Sequence, residues 1–223
     1  MEYGKSAHFR GDRMLKLLKI ILSAFVLLIW AQGSTSCALA KDRVYGGRVI
    51  DFETKEPIEG AVVVAYWDER MAAPAGGVTR LKEVKEILTD KNGAWRLAGP
   101  EEERGDSYYS FATETYYIQH PRFIVFKPGY CPWPGGFSID ACRGKIKPGG
   151  AGKVAEGENV ELFKLIEKEV RFFSIPAPDY STDPNKRIEF LKKQVQFLKF
   201  INEEKRNLGL SENQMYKEIE HEK

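Results

Sequence analysis

A mainly β fold with a helical C-terminal extension is what this sequence predicts, on three observations. Val44–Trp67 holds two strand-like runs joined by a polar turn. Short apolar runs separated by turn residues continue as far as Phe163. After Pro184 the apolar residues recur at three- and four-residue spacing, which is the period of a helix.

In the first run, Val44–Asp51, alternation places Tyr45, Gly47, Val49 and Asp51 on one side of a strand and Val44, Gly46, Arg48 and Ile50 on the other. Neither side is cleanly apolar, and the two glycines leave room for a neighbouring chain. Phe52–Pro57 suits a turn. Ala61–Trp67 is apolar without a break, as expected of a strand buried on both faces, and its three consecutive valines favour a pleated surface over a helix.

Several short motifs then occur in order: Gly47-Arg-Val49-Ile-Asp51, Thr54, Pro57-Ile58-Glu-Gly60-Ala61-Val-Val63, Thr89-Asp90-Lys-Asn-Gly93-Ala-Trp95-Arg-Leu97 and Lys127-Pro-Gly129-Tyr130. Together they resemble the carboxypeptidase regulatory-like domain, a transthyretin-like (prealbumin-like) fold. The resemblance covers roughly residues 44–130, with Glu158–Phe163 as a closing strand. It implies a seven-stranded Greek-key β-sandwich over residues 44–165 of an exported bacterial protein, with no catalytic role. Lys55-Glu56 stands where that family commonly has a glycine, and a Pro/Gly-rich insertion at 131–157 follows Tyr130.

The N-terminus reads as a signal peptide over residues 1–40. A basic segment precedes the apolar run Ile20–Trp30, and Ala38-Leu39-Ala40 supplies small residues for cleavage after Ala40. Met14 would make a more ordinary start for such a leader. A permanent span is the weaker reading, because about 20 apolar residues are needed to cross a bilayer. Lipid attachment at Cys37 is the other alternative, and processing decides between a periplasmic or extracellular protein and a membrane-anchored one. The first 40 residues hold 5 of the 34 Lys/Arg and 2 of the 32 Asp/Glu, leaving 29 basic against 30 acidic residues. That balance gives no reason to expect a nucleic-acid partner.

Cys131 and Cys142 remain after cleavage. In an exported chain a disulfide between them is expected to stabilise by about 2–3 kcal/mol on the loop-entropy argument. A pair of metal thiolates is the alternative, but no Cys-x-x-Cys spacing or adjacent histidine supports it.

Between these landmarks, Asp68–Lys82 reads as a long connection, and Glu83–Thr89 and Ala94–Ala98 as strands joined by a tight hairpin turn at Asp90–Gly93. An Asp-x-Asn calcium loop there lacks its later ligands. Glu101–Glu103 reads as a solvated loop. The aromatic cluster Tyr108, Tyr109, Phe111, Tyr116, Tyr117 and Phe123, with Trp133 further on, either fills the sandwich or offers rings to a sugar or peptide. His120 and His221 are the only histidines beyond residue 40, too few for a histidine-based metal centre, and no cofactor is expected. Leu165–Ile175 is read as an edge strand.

The helical extension spans 180–221. Asp183 is placed to cap a helix starting at Pro184, and Gly209 follows its stop. Ile188, Leu191, Val195 and Leu198 form an apolar stripe widened by Phe190, Phe197 and Ile201, expected to lie on the protein's own sandwich rather than on a partner helix. Ser211 and Gln214 suit a capping box for a short final helix.

Three functions follow as expectations. The first is a non-catalytic exported sandwich that binds or supports an envelope protein, peptide or polysaccharide. The second is a carbohydrate- or peptide-binding module using Tyr108, Tyr109, Tyr116, Tyr117 and Trp133, which requires their rings to share an exposed face. The third is an enzyme around His120, which requires a concave pocket with a carboxylate in hydrogen-bond reach.

Overall fold

A computed structural model of the chain describes residues 43–71, 77–100, 116–134, 142, 154, 157–180 and 183–217. Val49, every second residue of Ala61–Trp67, Trp95, Leu97, Phe123, Val125, Val160 and Leu162 meet in one buried cluster. That alternation is the signature of strands turning one face inward. The strands are β1 Val44–Asp51, β2 Val62–Met71, β3 Val78–Leu88, β4 Ala94–Ala98, β5 Tyr116–Ile118, β6 Arg122–Phe126 and β7 Glu158–Leu162.

They form two sheets. In the first, β1 lies between β4, antiparallel with Gly47 opposite Trp95, and β7, parallel with Gly47 opposite Glu158. Gly47 is required there, since a Cβ would collide with the Glu158 carbonyl. In the second sheet β2 is central. It has β3 on one side, while β5 and β6 follow each other along its other side, both antiparallel to it. Pro121, which has no N–H to donate, sits in the gap between β5 and β6.

The two sheets enclose the cluster just described, and the second sheet has a further buried face. Val62, Val64, Tyr66, Val84 and Phe126 pack there against Phe190, Phe197 and Ile201. Those residues come from helices α2 Pro184–Lys192 and α3 Val195–Asn207; the shorter α1 Lys168–Ser174 precedes them. The double burial explains the unbroken apolar run, for all seven residues of Ala61–Trp67 are 0% exposed.

On one side the sheets are tied together by the chain after β6. Trp133 exchanges two backbone hydrogen bonds with Val125 of β6, at 2.9 Å each. Cys131 N–H donates to the Phe163 carbonyl, and Leu165 N–H to that of Gly129, both at 2.8 Å. The Cys131–Cys142 disulfide lies over this tie, against Phe163, with Phe52, Leu165 and Val170 around it.

Four expectations need correction. Asp90–Gly93 is a tight turn, but β3 and β4 pair with different central strands, so it carries the chain from one sheet to the other instead of closing a hairpin. Most of Asp68–Lys82 is strand, as β2 runs to Met71 and β3 starts at Val78. Leu165–Ile175 contains α1, not an edge strand. The long helix is broken between Lys192 and Val195, which rotates the buried face to Phe190, Leu191, Gln194, Phe197, Leu198 and Ile201 and leaves Ile188 56% exposed.

Candidate functional site

Among the described aromatic residues singled out from the sequence, Phe123 and Trp133 belong to the inter-sheet core. Tyr108 and Tyr109 lie outside the described residues, as do Ala40, Cys37, Phe111 and Glu101–Glu103. Tyr116 and Tyr117 belong to β5, where they pair with Met71 and Arg70, and Tyr117 is half-buried. Trp133 is also half-buried, packed on the inter-sheet cluster. Its partner Val125 lies eight positions along the same interrupted strand from Tyr117, a separation of roughly 25 Å at about 3.3 Å per residue. Tyr117 and Trp133 therefore share no binding platform.

His120 sits in the gap between β5 and β6, where the Arg43 guanidinium lies 2.9 Å from its Nδ1. Among the described residues no group of three or more His, Cys, Asp or Glu side chains is placed to hold a metal ion. None of their helices is long and apolar enough to cross a membrane.

An open groove of about 580 Å³ lies between the two edge strands β3 and β4, lined by Glu83, Lys85, Glu86, Arg96, Ala98 and Lys193. Glu83, Lys85, Glu86 and Lys193 are engaged with the fold. The Glu83 carboxylate accepts from its neighbour's backbone, Val84 N–H, at 2.9 Å and from Lys193 at 3.1 Å. Lys85 donates to the Ala98 carbonyl at 2.9 Å. The Glu86 oxygens accept from the Gln196 and Phe197 amides at 2.8 and 3.0 Å, capping the start of α3 from the adjacent sheet. Burial raises the Glu86 pKa above the usual carboxylate value, although the two amides pull the other way.

The best-connected polar residues are ones the sequence reading missed. Gln194, at the helix break, accepts from the buried Tyr66 hydroxyl at 2.7 Å and donates to the Asp179 and Phe190 carbonyls. Arg122 joins Asp68 and Asp179 at 2.9 and 2.8 Å. Glu204, with its side chain 3% exposed, takes two bonds from Arg171 and one from Gly129 N–H. The available signal was polarity out of phase: Gln194 and Glu204 fall on the buried side of an otherwise apolar helical pattern. Asp51 and Tyr130, both within the family-like motifs, meet as well. The Tyr130 hydroxyl donates to Asp51 at 3.2 Å, while Glu53 and Thr54 amides bind the other carboxylate oxygen.

No family model matches the chain, and no curated protein or solved structure matches it significantly. What these residues do is therefore read from their geometry. Each cluster joins two or three elements of the fold.

Proposed function

We propose that this is an exported, non-catalytic β-sandwich of the transthyretin-like, carboxypeptidase regulatory-like class, which binds or supports a component of the cell envelope. The observation that carries the reading is the use of the charged groups, two of which, Glu69 and Glu204, are buried. Glu69 pairs with Arg80 and Lys82 on the neighbouring strand, Glu204 with Arg171 across two helices, and Arg122 with Asp68 and Asp179. Such pairs hold elements in place, whereas acid–base catalysis calls for titratable groups converging on a cleft. The crossing of the chain between sheets after β1, β3, β4 and β6 supports a Greek-key path. The disulfide supports an oxidising compartment.

Cell fractionation with non-reducing electrophoresis tests this. The protein is expected in the envelope or secreted fraction with Cys131 and Cys142 oxidised. Recovery in the cytosol as the dithiol rejects export. A hydrolytic or transfer activity abolished by a single substitution at His120 rejects the non-catalytic part.

A further inference from the structure

We propose that the outer face of the first sheet binds an acidic polysaccharide through Arg48 and Arg96. The inner face of that sheet is given to the core by Val49, Trp95, Leu97, Val160 and Leu162. Alternation sends the neighbours of these residues the other way, so Gly46, Arg48, Ala94, Arg96, Ala98 and Asn159 share the outer face. Helices α2 and α3 cover the second sheet instead. Across β1 and β4, Arg96 lies opposite Gly46 and Arg48 opposite Ala94, while Asn159 flanks Arg48 from β7. The two arginines are therefore diagonal neighbours on one surface, roughly 7 Å apart. A Cβ added to Gly46 would stand 3.9 Å from that of Arg96, so the glycine keeps the space beside this side chain open.

Both arginines are exposed, and among the described residues neither side chain has an ion-pair or hydrogen-bond partner. The carboxylate on the same face, Glu161, is already paired with Lys55 at 2.9 Å. Two like charges set side by side repel and add nothing to the fold, and a bound anion reverses that repulsion. Guanidinium forks suit carboxylates, which they grip by two hydrogen bonds at a time. Asn159 adds a donor and an acceptor for hydroxyl groups next to Arg48.

The form of the face selects among anions. A peptide laid over β1 would find no main chain to pair with, because that strand has a neighbour on each side. The large exposed apolar side chains, such as Ile166, Phe173 and Ile188, lie on other elements, so the face lacks the means of entering a bilayer. Two cations are few for the phosphate track of a nucleic acid. A flat strand surface does not enclose a small ion, but a chain polymer can lie along it with acid groups on the arginines and hydroxyls at Asn159. No described residue of this face is aromatic, so charge rather than ring stacking selects the sugar. The inference rests on the binding reading above and deepens it by naming the ligand class and its place.

The test is isothermal titration of the full-length chain with tetrasaccharides of galacturonate, of mannuronate and of hyaluronan, each as the free acid and as its methyl ester. At least one acid form is expected to bind saturably, with its ester weaker by at least about tenfold because the charge is gone. Arg48→Gln and Arg96→Gln are each expected to weaken that binding at least about fivefold. Arg48→Lys and Arg96→Lys are expected to recover only part of it, since the fork is lost while the charge stays. Lys192→Gln, at an exposed cation on α2, is expected to leave it unchanged. Absence of saturable binding by all three acids overturns the inference, and so does binding that survives both arginine-to-glutamine substitutions. Tighter binding of tetraglutamate overturns it in favour of an acidic peptide. A protein that fractionates with the envelope yet binds none of the acids removes this inference alone, whereas recovery in the cytosol removes the reading beneath it.

Discussion

Lys55 and Gly93 show how single positions shape the turns. Lys55 adopts a φ of 61° where the resembled family commonly has glycine, and its amine bonds Glu161 at 2.9 Å. At Gly93 the φ is 69° and an added Cβ would run into the Val49 carbonyl, which also accepts the Ile58 amide. Gly93→Ala is expected to cost at least about 1–3 kcal/mol, because backbone strain and a collision with main chain act together, measured by urea denaturation. Asp51 is governed by hydrogen bonds instead. The Thr54 amide lowers its pKa most, burial opposes that, and the Glu53 amide and the Tyr130 hydroxyl bring the balance down. A lowered folded-state value means stability present above the unfolded pKa of about 3.9 and lost as pH falls through the folded value. Asp51→Asn keeps the acceptor oxygen for the two amides, so between pH 5 and 3 its thermal midpoint is expected to fall less than that of the unsubstituted protein.

Among the elements, α3 is held from both ends. At its start, Glu86 reaches across from β3, and its raised pKa sets the opposite pH dependence from Asp51. The Glu86 contribution is full below its unfolded value and declines as pH rises through the folded one. Glu86→Ala is therefore expected to cost more stability near pH 4 than near pH 7, by denaturation at both. Towards its end, Arg171→Ala leaves the Glu204 carboxylate buried with one charge partner gone, at an expected cost of about 3–5 kcal/mol. Adding Glu204→Ala removes the stranded charge, so a double-mutant cycle should show the pair losing less than the sum of the two single changes.

How far these elements were legible follows the same physics. Ala61–Trp67 announced its two-sided burial because seven apolar residues in succession leave no face for water. Tight-turn chemistry at Asp90–Gly93 was visible, but a turn does not encode which sheet accepts the next strand; that choice rests on long-range pairing of Trp95 with Gly47. The helical stripe was readable, for Phe190, Leu191, Phe197, Leu198 and Ile201 are all buried, but the break that exposes Ile188 was not. The break before Val195 is stabilised by Gln194, whose partners, Tyr66 and Asp179, are distant or off the pattern. Phe172 and Phe173 suggested a strand by composition, while the Arg171–Glu204 contact lies 33 residues apart and could not be read locally.

For the whole molecule, the two sides of the sandwich are finished differently. One is tied by 129–133 and the disulfide, whereas on the other β3 and β4 are edge strands among the described residues, facing one groove. Side chains occupy the outward backbone groups there: Glu83 on Val84 N–H, Lys85 on the Ala98 carbonyl, and Asp90 on Ala94 N–H. Free edges of this kind recruit other strands. The double change Glu83→Ala and Lys85→Ala is expected to leave the fold intact by circular dichroism and to raise self-association measured by light scattering.

The place of β1 between β4 and β7 has a temporal side. A chain that emerges N-terminus first makes β1 early, yet one flank of that strand stays open until residues 158–162 appear and Glu158 settles beside Gly47. Pairing at such sequence distance is slow because a long stretch must be drawn in before any contact compensates for it. The first sheet consequently cannot close before residues 158–162 have emerged, and a polypeptide interrupted anywhere before Leu162 remains pliable enough to be threaded or degraded.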